Sequence, residues 1–204
     1  MITTQDSDLD RFLRVMRHQG MSLSDVVRHS SRTVIFEDYE VTGYNYRLTD
    51  IQAAVGIEQL RRLPHIVERR REIAQTYFER LSTIDELILP QEPPFAYSNW
   101  QSYIVRLNES TPLKLVMQDM LDSGISTRRG IMCAHLEAPY KQAWLKGCLP
   151  KSERCRDTGL ILPLYPGMEE EDLSRVVDTL KESIHKRTPT GGGRPFGRCK
   201  WPEG

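Results

Sequence analysis

In GYNYRLTDIQAAVGIEQL, Gly43 to Leu60, an aromatic-rich polar loop runs straight into a helix. Thr49-Asp50-Ile51-Gln52 reads as a capping box, with a hydroxyl for the first free amides and a glutamine three residues on to reach back. Ahead of it stand an amide, Asn45, and a guanidinium, Arg47, interleaved with Tyr44 and Tyr46. An amide gives one directed hydrogen bond to an anionic oxygen, and a guanidinium adds a charged fork suited to phosphate or carboxylate. Beside a helix start such a pair can cradle an anion. The same residues also suit an ordinary turn, in which Asn tolerates an unusual backbone angle and Arg is solvated. Local spacing leaves both readings open.

Downstream of the loop, Ile51, Val55, Ile57 and Leu60 are followed past Pro64 by Ile66, Val67, Ile73, Tyr77 and Leu81. Proline lacks an amide hydrogen and clashes with the preceding turn, so two helical segments are expected, 50–62 and 64–82. Upstream, Asp8 to His18 has helical spacing, with Ser7 as cap and Gly20 as stop. Residues 21–42 have no clear period and read as an extended excursion with a short strand at Thr33–Phe36. Pro90 to Pro94 marks a linker into an α/β pattern. Tyr103, Val105 and Leu107 alternate as a strand. A helix capped by Thr111, with Pro112 in its first turn, buries Leu113, Val116, Met117, Met120 and Leu121 and stops at Gly124. Strands at Ile125–Arg129 and Leu160–Leu164 follow. The closing helix has Glu169, Glu170 and Glu171 at its start and Lys181, Lys186 and Arg187 near its end, matching the helix dipole. Thr188 to Gly204 reads as a disordered tail.

The words of the sequence carry more than their periods. GYNYRLTDIQAAVGIEQL followed by HIVERRREIAQTYFERL, then WQSYIVRL (Trp100–Leu107), GISTRRGIMCAH (Gly124–His135), EAPY (Glu137–Tyr140) and LILPLYPGM (Leu160–Met168), closely resembles the DegT/StrS-type (DegT/DnrJ-like) sugar aminotransferases. The likeness runs from about Met1 to about Ile184. These are fold-type I, pyridoxal 5'-phosphate-dependent transaminases that mostly aminate keto sugars attached to nucleotides. Resemblance and composition together give an α/β chain in four parts, the C-terminal part of such an enzyme with a tail outside the likeness. A remnant of the large cofactor-binding domain covers 1–48, and connecting helices and linker cover 49–94. A small α/β domain, a sheet with helices on one face, covers 95–187, and 188–204 is the tail.

The resemblance also implies roles for residues. Asn45 matches the residue that reaches across a homodimer interface to the cofactor phosphate of the neighbouring subunit, and Arg47 looks like its companion toward phosphate or substrate carboxylate. An ion pair that fixes the loop is the alternative for Arg47. Tyr103, Arg128, Arg129 and His135 fall where relatives approach substrate. For Tyr103 the competing reading is packing at a domain seam, for the arginines simple solvation, and for His135 a core or loop histidine. TRRGIMCAH departs from the commoner sugar-aminotransferase wording, so the sugar-nucleotide part of the specificity stays open. The family's imine-forming lysine lies shortly before a segment similar to Met1–Thr4. The seven lysines here, Lys114 to Lys200, stand in no such context, so no catalytic residue is expected in this chain.

Composition narrows the alternatives. With 28 basic and 28 acidic residues in 204, no long-range field favours nucleic acid or an anionic membrane. Glu68-Arg69-Arg70-Arg71-Glu72 reads as a solvated helix face. There is no apolar run of membrane-spanning length and no signal-peptide pattern, so a cytoplasmic protein is expected. Cys133, Cys148, Cys155 and Cys199 match neither a CxxC metal site nor a disulfide scaffold. His135 near Cys133 lacks further partners, so no metal site is expected. Two functions follow: part of an aminotransferase that takes an amino group from glutamate or a similar donor, or a non-catalytic remnant acting at most as an interaction module.

Overall fold

A computed structural model describes residues 2–21, 38–39, 41–140 and 148–188. The Thr33–Phe36 strand, most of the 21–42 excursion and the tail beyond Thr188 lie outside the described residues. The chain divides into two compact units, Met1–Arg61 and Arg62–Gly204.

In the first unit, helix α1 spans Ser7–Met16. Its cap is Asp6 rather than Ser7: the Asp6 carboxylate accepts the amides of Asp8 and Leu9 at 2.9 and 3.0 Å. A cap sits one residue before the first helical one, and Ser7 is already helical. Helix α2, Asp50–Leu81, begins with the expected box: the Gln52 amide N–H donates to Thr49 Oγ1, and Thr49 N–H donates to Gln52 Oε1. It then continues for 32 residues, without the interruption expected at Pro64. Proline inside a helix costs about 3 kcal/mol. Here Arg, Leu, Glu and Gln on either side are good helix formers, and the downstream half is fixed by burial of Ile73, Ala74, Tyr77 and Leu81.

The second unit is built on an antiparallel sheet ordered β1-β2-β4-β3. The strands are β1 (Leu87–Ile88), β2 (Tyr103–Leu107), β3 (Arg128–Arg129) and β4 (Gly159–Leu162). Tyr103, Val105 and Leu107 alternate inward as the period requires; Leu162 and Leu160 lie opposite the first two, and Leu87 opposite Leu107. Against this face pack α3 (Leu113–Asp122) and α5 (Glu170–Arg187), together with Tyr77 and Leu81 of α2. Leu87 and the α2 residues belong to this core, although they precede residue 95. Helix α5 opens with a reciprocal box between Glu169 and Asp172 and ends in His185, Lys186 and Arg187.

Several local expectations change. Thr111 does not cap α3; Pro112 takes that position, and the Thr111 hydroxyl bonds the hydroxyl of Thr188 at 3.0 Å. Leu121 is exposed, because α3 turns its Val116 and Met120 face inward. Gly124 does end α3's turn, at φ 75°. The second strand is only Arg128–Arg129 and the third stops at Leu162. A further helix, α4 (Pro150–Thr158), had no sequence signal, because KSERCRDT carries no apolar period. Its Cys155 Sγ lies 3.9 Å from an Arg106 nitrogen on the sheet face opposite Tyr103 and Val105.

The Arg-rich run is not a solvated face either. Arg69 donates to the Met168 carbonyl, and Arg71 grips Glu92 through both terminal nitrogens at 2.8 and 2.7 Å. Arg71 also sits 4.0 Å over the Tyr97 ring, and its grip, with the Ser98 amide, holds the Glu92 carboxyl down at about 2. So the Pro90–Pro94 stretch is tied to α2.

Asp119 joins α3 to α5. It accepts from Arg187 at 2.9 and 2.8 Å and from the Ser183 hydroxyl at 2.8 Å. The Arg187 guanidinium, then Ser183, hold its carboxyl well below the usual carboxylate range. A group whose folded value is depressed adds stability above its unfolded value, and that stability is lost as pH falls toward the folded one. Melting of the wild type is therefore expected to weaken progressively below about pH 4. In Asp119→Asn that part of the acid dependence should shrink, read as a smaller difference in melting temperature between neutral and acid pH. Parallel curves for the two proteins would refute the assignment.

No helix among the described residues is long and apolar enough to cross a membrane.

Candidate functional site

The loop that carries Asn45 is zipped to the end of α1. Tyr44 N–H donates to Met16 O at 2.6 Å, Gln19 N–H to Tyr44 O at 3.0 Å, and Tyr46 N–H to Arg17 O at 3.0 Å. His18 and Asn45 thus form an antiparallel bridge. Two glycines permit this approach. A Cβ on Gly43 would lie 2.2 Å from the Gly20 nitrogen, and one on Gly20, where φ is 81°, would lie 1.8 Å from the Val41 carbonyl oxygen. In the sequence Gly20 reads only as a helix stop; its pairing with Gly43 is long-range and has no local signature.

Alternation along this extended stretch separates two sets of side chains. The rings of Tyr44 and Tyr46 stack, 5.1 Å apart and 8° from parallel. Asn45 and Arg47 pair instead, with Arg47 Nε donating to Asn45 Oδ1 at 3.3 Å. A guanidinium can only donate, so the amide oxygen must face it and the amide hydrogens face away. Both residues are exposed. The result is an oriented amide donor with a fixed positive charge beside it, chemistry suited to a phosphate or carboxylate.

The other expected residues lie in the second unit. Tyr103 is fully buried, its ring 5.1 Å from Tyr77 and 5.5 Å from Trp100. Burial pushes the phenols of Tyr77 and Tyr103 up; Tyr77 donates to the Pro163 carbonyl at 2.7 Å. Arg128 and Arg129 are both exposed on the edge strand, and successive strand positions send them to opposite faces. His135 is buried in a short 3-10 turn, Ala134–Leu136, with Nε2 3.1 Å from Glu153 Oε1 of α4. His135 and Tyr140 line one open cavity of about 640 Å³, with Cys133, Leu149, Lys151 and Cys155. Glu153 went unnoticed in the sequence because α4 itself did.

Several known proteins are similar to this chain over most of its length. An uncharacterised protein of Methanocaldococcus jannaschii is 28% identical over 190 residues, covering 90% of this chain and 49% of the relative. The crystal structure of the aminotransferase TlmJ from Streptoalloteichus hindustanus superposes with a TM-score of 0.77 at 29% identity, over 91% of this chain and 47% of that one. The sugar aminotransferase CalS13 from Micromonospora echinospora gives 0.74 at 26%, over 87% and 45%. The chain thus spans about half the length of the relatives it matches. Residues 1–181 match the DegT/DnrJ/EryC1/StrS aminotransferase family, and the chain belongs to that family.

Proposed function

We propose that the chain serves a pyridoxal-phosphate transaminase that moves an amino group from glutamate or a similar donor to a keto sugar, attached to a nucleotide, for sugar or polysaccharide synthesis. The observation that carries this reading is the Asn45–Arg47 pair on the glycine-crossed loop, within a family match that covers both units. The donor set fits the cofactor's phosphate: a dianion needs directed donors and positive charge. It does not fit the cofactor's aldehyde, since the unit Met1–Arg61 contains no lysine. When bound, the cofactor supplies the electron sink for amino transfer. In this reading Asn45 donates to a phosphate oxygen of a neighbouring subunit in a homodimer. Arg47 holds the Asn45 amide in register, and the imine-forming lysine comes from outside these 204 residues.

Self-association is part of the same reading. Ile51, Val55, Ile57 and Leu60 are all exposed along the first turns of α2, on more than one side of the helix, and apolar surface exposed to that extent favours association.

Two measurements test the proposal. Mixed with pyridoxal phosphate and reduced with borohydride, the chain alone is expected to show no single stoichiometrically labelled lysine. One such site, with transaminase turnover, would overturn the placement of the lysine. Assembled with a lysine-bearing relative, the chain should bind the cofactor, and Asn45→Ala should weaken that binding about tenfold, the effect of one hydrogen bond to a charged group. Unchanged affinity in that variant would remove Asn45 from the phosphate site.

A further inference from the structure

His135, Cys148 and Glu153 meet from three local structures: the 3-10 turn at Ala134–Leu136, the residue just ahead of the α4 cap, and the first turn of α4. One donor atom from each lies within 4.8 Å of the others. The sequence offered Cys133 as the nearest thiol to His135, but the fold supplies Cys148.

An imidazole, a thiol and a carboxylate at one point form a donor set that borderline divalent ions take. Magnesium and calcium prefer oxygen alone. The spacing agrees as well. His135 Nε2 and Glu153 Oε1 stand 3.1 Å apart. Tetrahedral zinc, with nitrogen and oxygen ligands near 2.0–2.1 Å, holds such a pair about 3.3 Å apart. Two of the three donors therefore already have nearly the required bite. A zinc-bound sulfur, at about 2.3 Å from the metal, sits about 3.6 Å from either neighbour. From 4.8 Å or less, Cys148 has to close by about 1.2 Å at most.

Burial divides the work. His135 and Glu153 are buried and fix the frame, whereas Cys148 is exposed and can move. A His–Glu hydrogen bond by itself requires no thiol beside it; the third donor, of different chemistry, is what marks the point as a metal position.

We propose that His135, Cys148 and Glu153 bind one zinc-class divalent cation, with water in the fourth position. Binding replaces the thiol proton of Cys148, which passes to solvent, and requires neutral His135 and ionised Glu153. Neither metal nor ligand changes oxidation state. This site does not depend on the transaminase reading.

The test uses the untagged full chain, loaded with zinc for native mass spectrometry and with cobalt(II) for absorption. One ion per chain is expected, and cobalt should show tetrahedral ligand-field bands with a thiolate charge-transfer band. Cys148→Ser, at an exposed position, should abolish the charge-transfer band. It should also weaken binding by at least about 100-fold, beyond the roughly 10–100-fold typical of changes to outer partners. Cys155→Ser should leave both unchanged. No stoichiometric metal, or a Cys148→Ser protein that binds equally well, overturns the proposal. So does loss of the band in Cys155→Ser alone, since other thiols would then hold the ion.

Discussion

Leu160→Ala is expected to destabilise the unit that begins at Arg62 by about 4 kcal/mol, the upper part of the range for a buried leucine truncated to alanine. Leu160 is fully buried in β4, paired on one side with Val105 of β2 and on the other with Arg129 of β3. The backbone on both sides is hydrogen-bonded, so the sheet cannot collapse into the space left by the side chain. A loss of that size removes a large share of the 5–15 kcal/mol by which a domain is stable. Urea unfolding followed by tryptophan fluorescence should show a lower midpoint with unchanged slope. Leu121→Ala is the contrast: its side chain is 57% exposed on α3, and the change should stay within about 0.5 kcal/mol. Equal effects of the two substitutions would mean that the core is not where the sheet places it.

Gly43→Ala should open the loop that carries Asn45. The added Cβ would stand 2.2 Å from the Gly20 nitrogen and 2.5 Å from the Gln19 carbonyl carbon, both backbone atoms with no rotamer to yield. Relief requires the loop to part from the end of α1, breaking the bonds from Tyr44 N–H to Met16 O and from Tyr46 N–H to Arg17 O. Overpacking of this kind costs more than about 2 kcal/mol. The expected result is loss of hydrogen-exchange protection at the Tyr44 and Tyr46 amides, with α2 still helical by circular dichroism. Gly56→Ala, where a Cβ meets nothing within 4 Å, should instead stabilise α2 by about 0.5–1 kcal/mol. Retained protection at Tyr44 in Gly43→Ala would rule out the glycine crossing.

What could be read in advance follows from the range of the forces involved. β2 was legible because Tyr103, Val105 and Leu107 alternate, and α5 because its apolar stripe and terminal charges are local. Thr49 and Gln52 were legible for the same reason: a capping box is complete within four residues. Pro64 misled, since local sterics predict a break while good neighbours and distant burial hold the helix together. Helix α4 stayed hidden because a short polar helix is fixed by what it leans on. In the candidate site, the wording of the motif singled out Asn45 and Arg47. The Gly20–Gly43 crossing that holds their loop depends on backbone that returns from more than twenty residues away. Glu153 and Cys148 became partners of His135 only when the chain doubled back.

The two outer strands of the sheet are each two residues long, and one of them consists of Arg128 and Arg129. An unpaired strand edge is a template on which another chain can polymerise, and nature blunts it by shortening it or placing cationic side chains on it. Here both devices operate at β3. A foreign strand docking there would find a ladder too short to grip and two like charges to desolvate. Two cationic side chains on so short an edge disfavour edge-to-edge growth. That effect needs positive charge rather than guanidinium geometry, so lysines at both positions would keep the protein colloidally sound, while a pair of valines would invite it to assemble edge to edge.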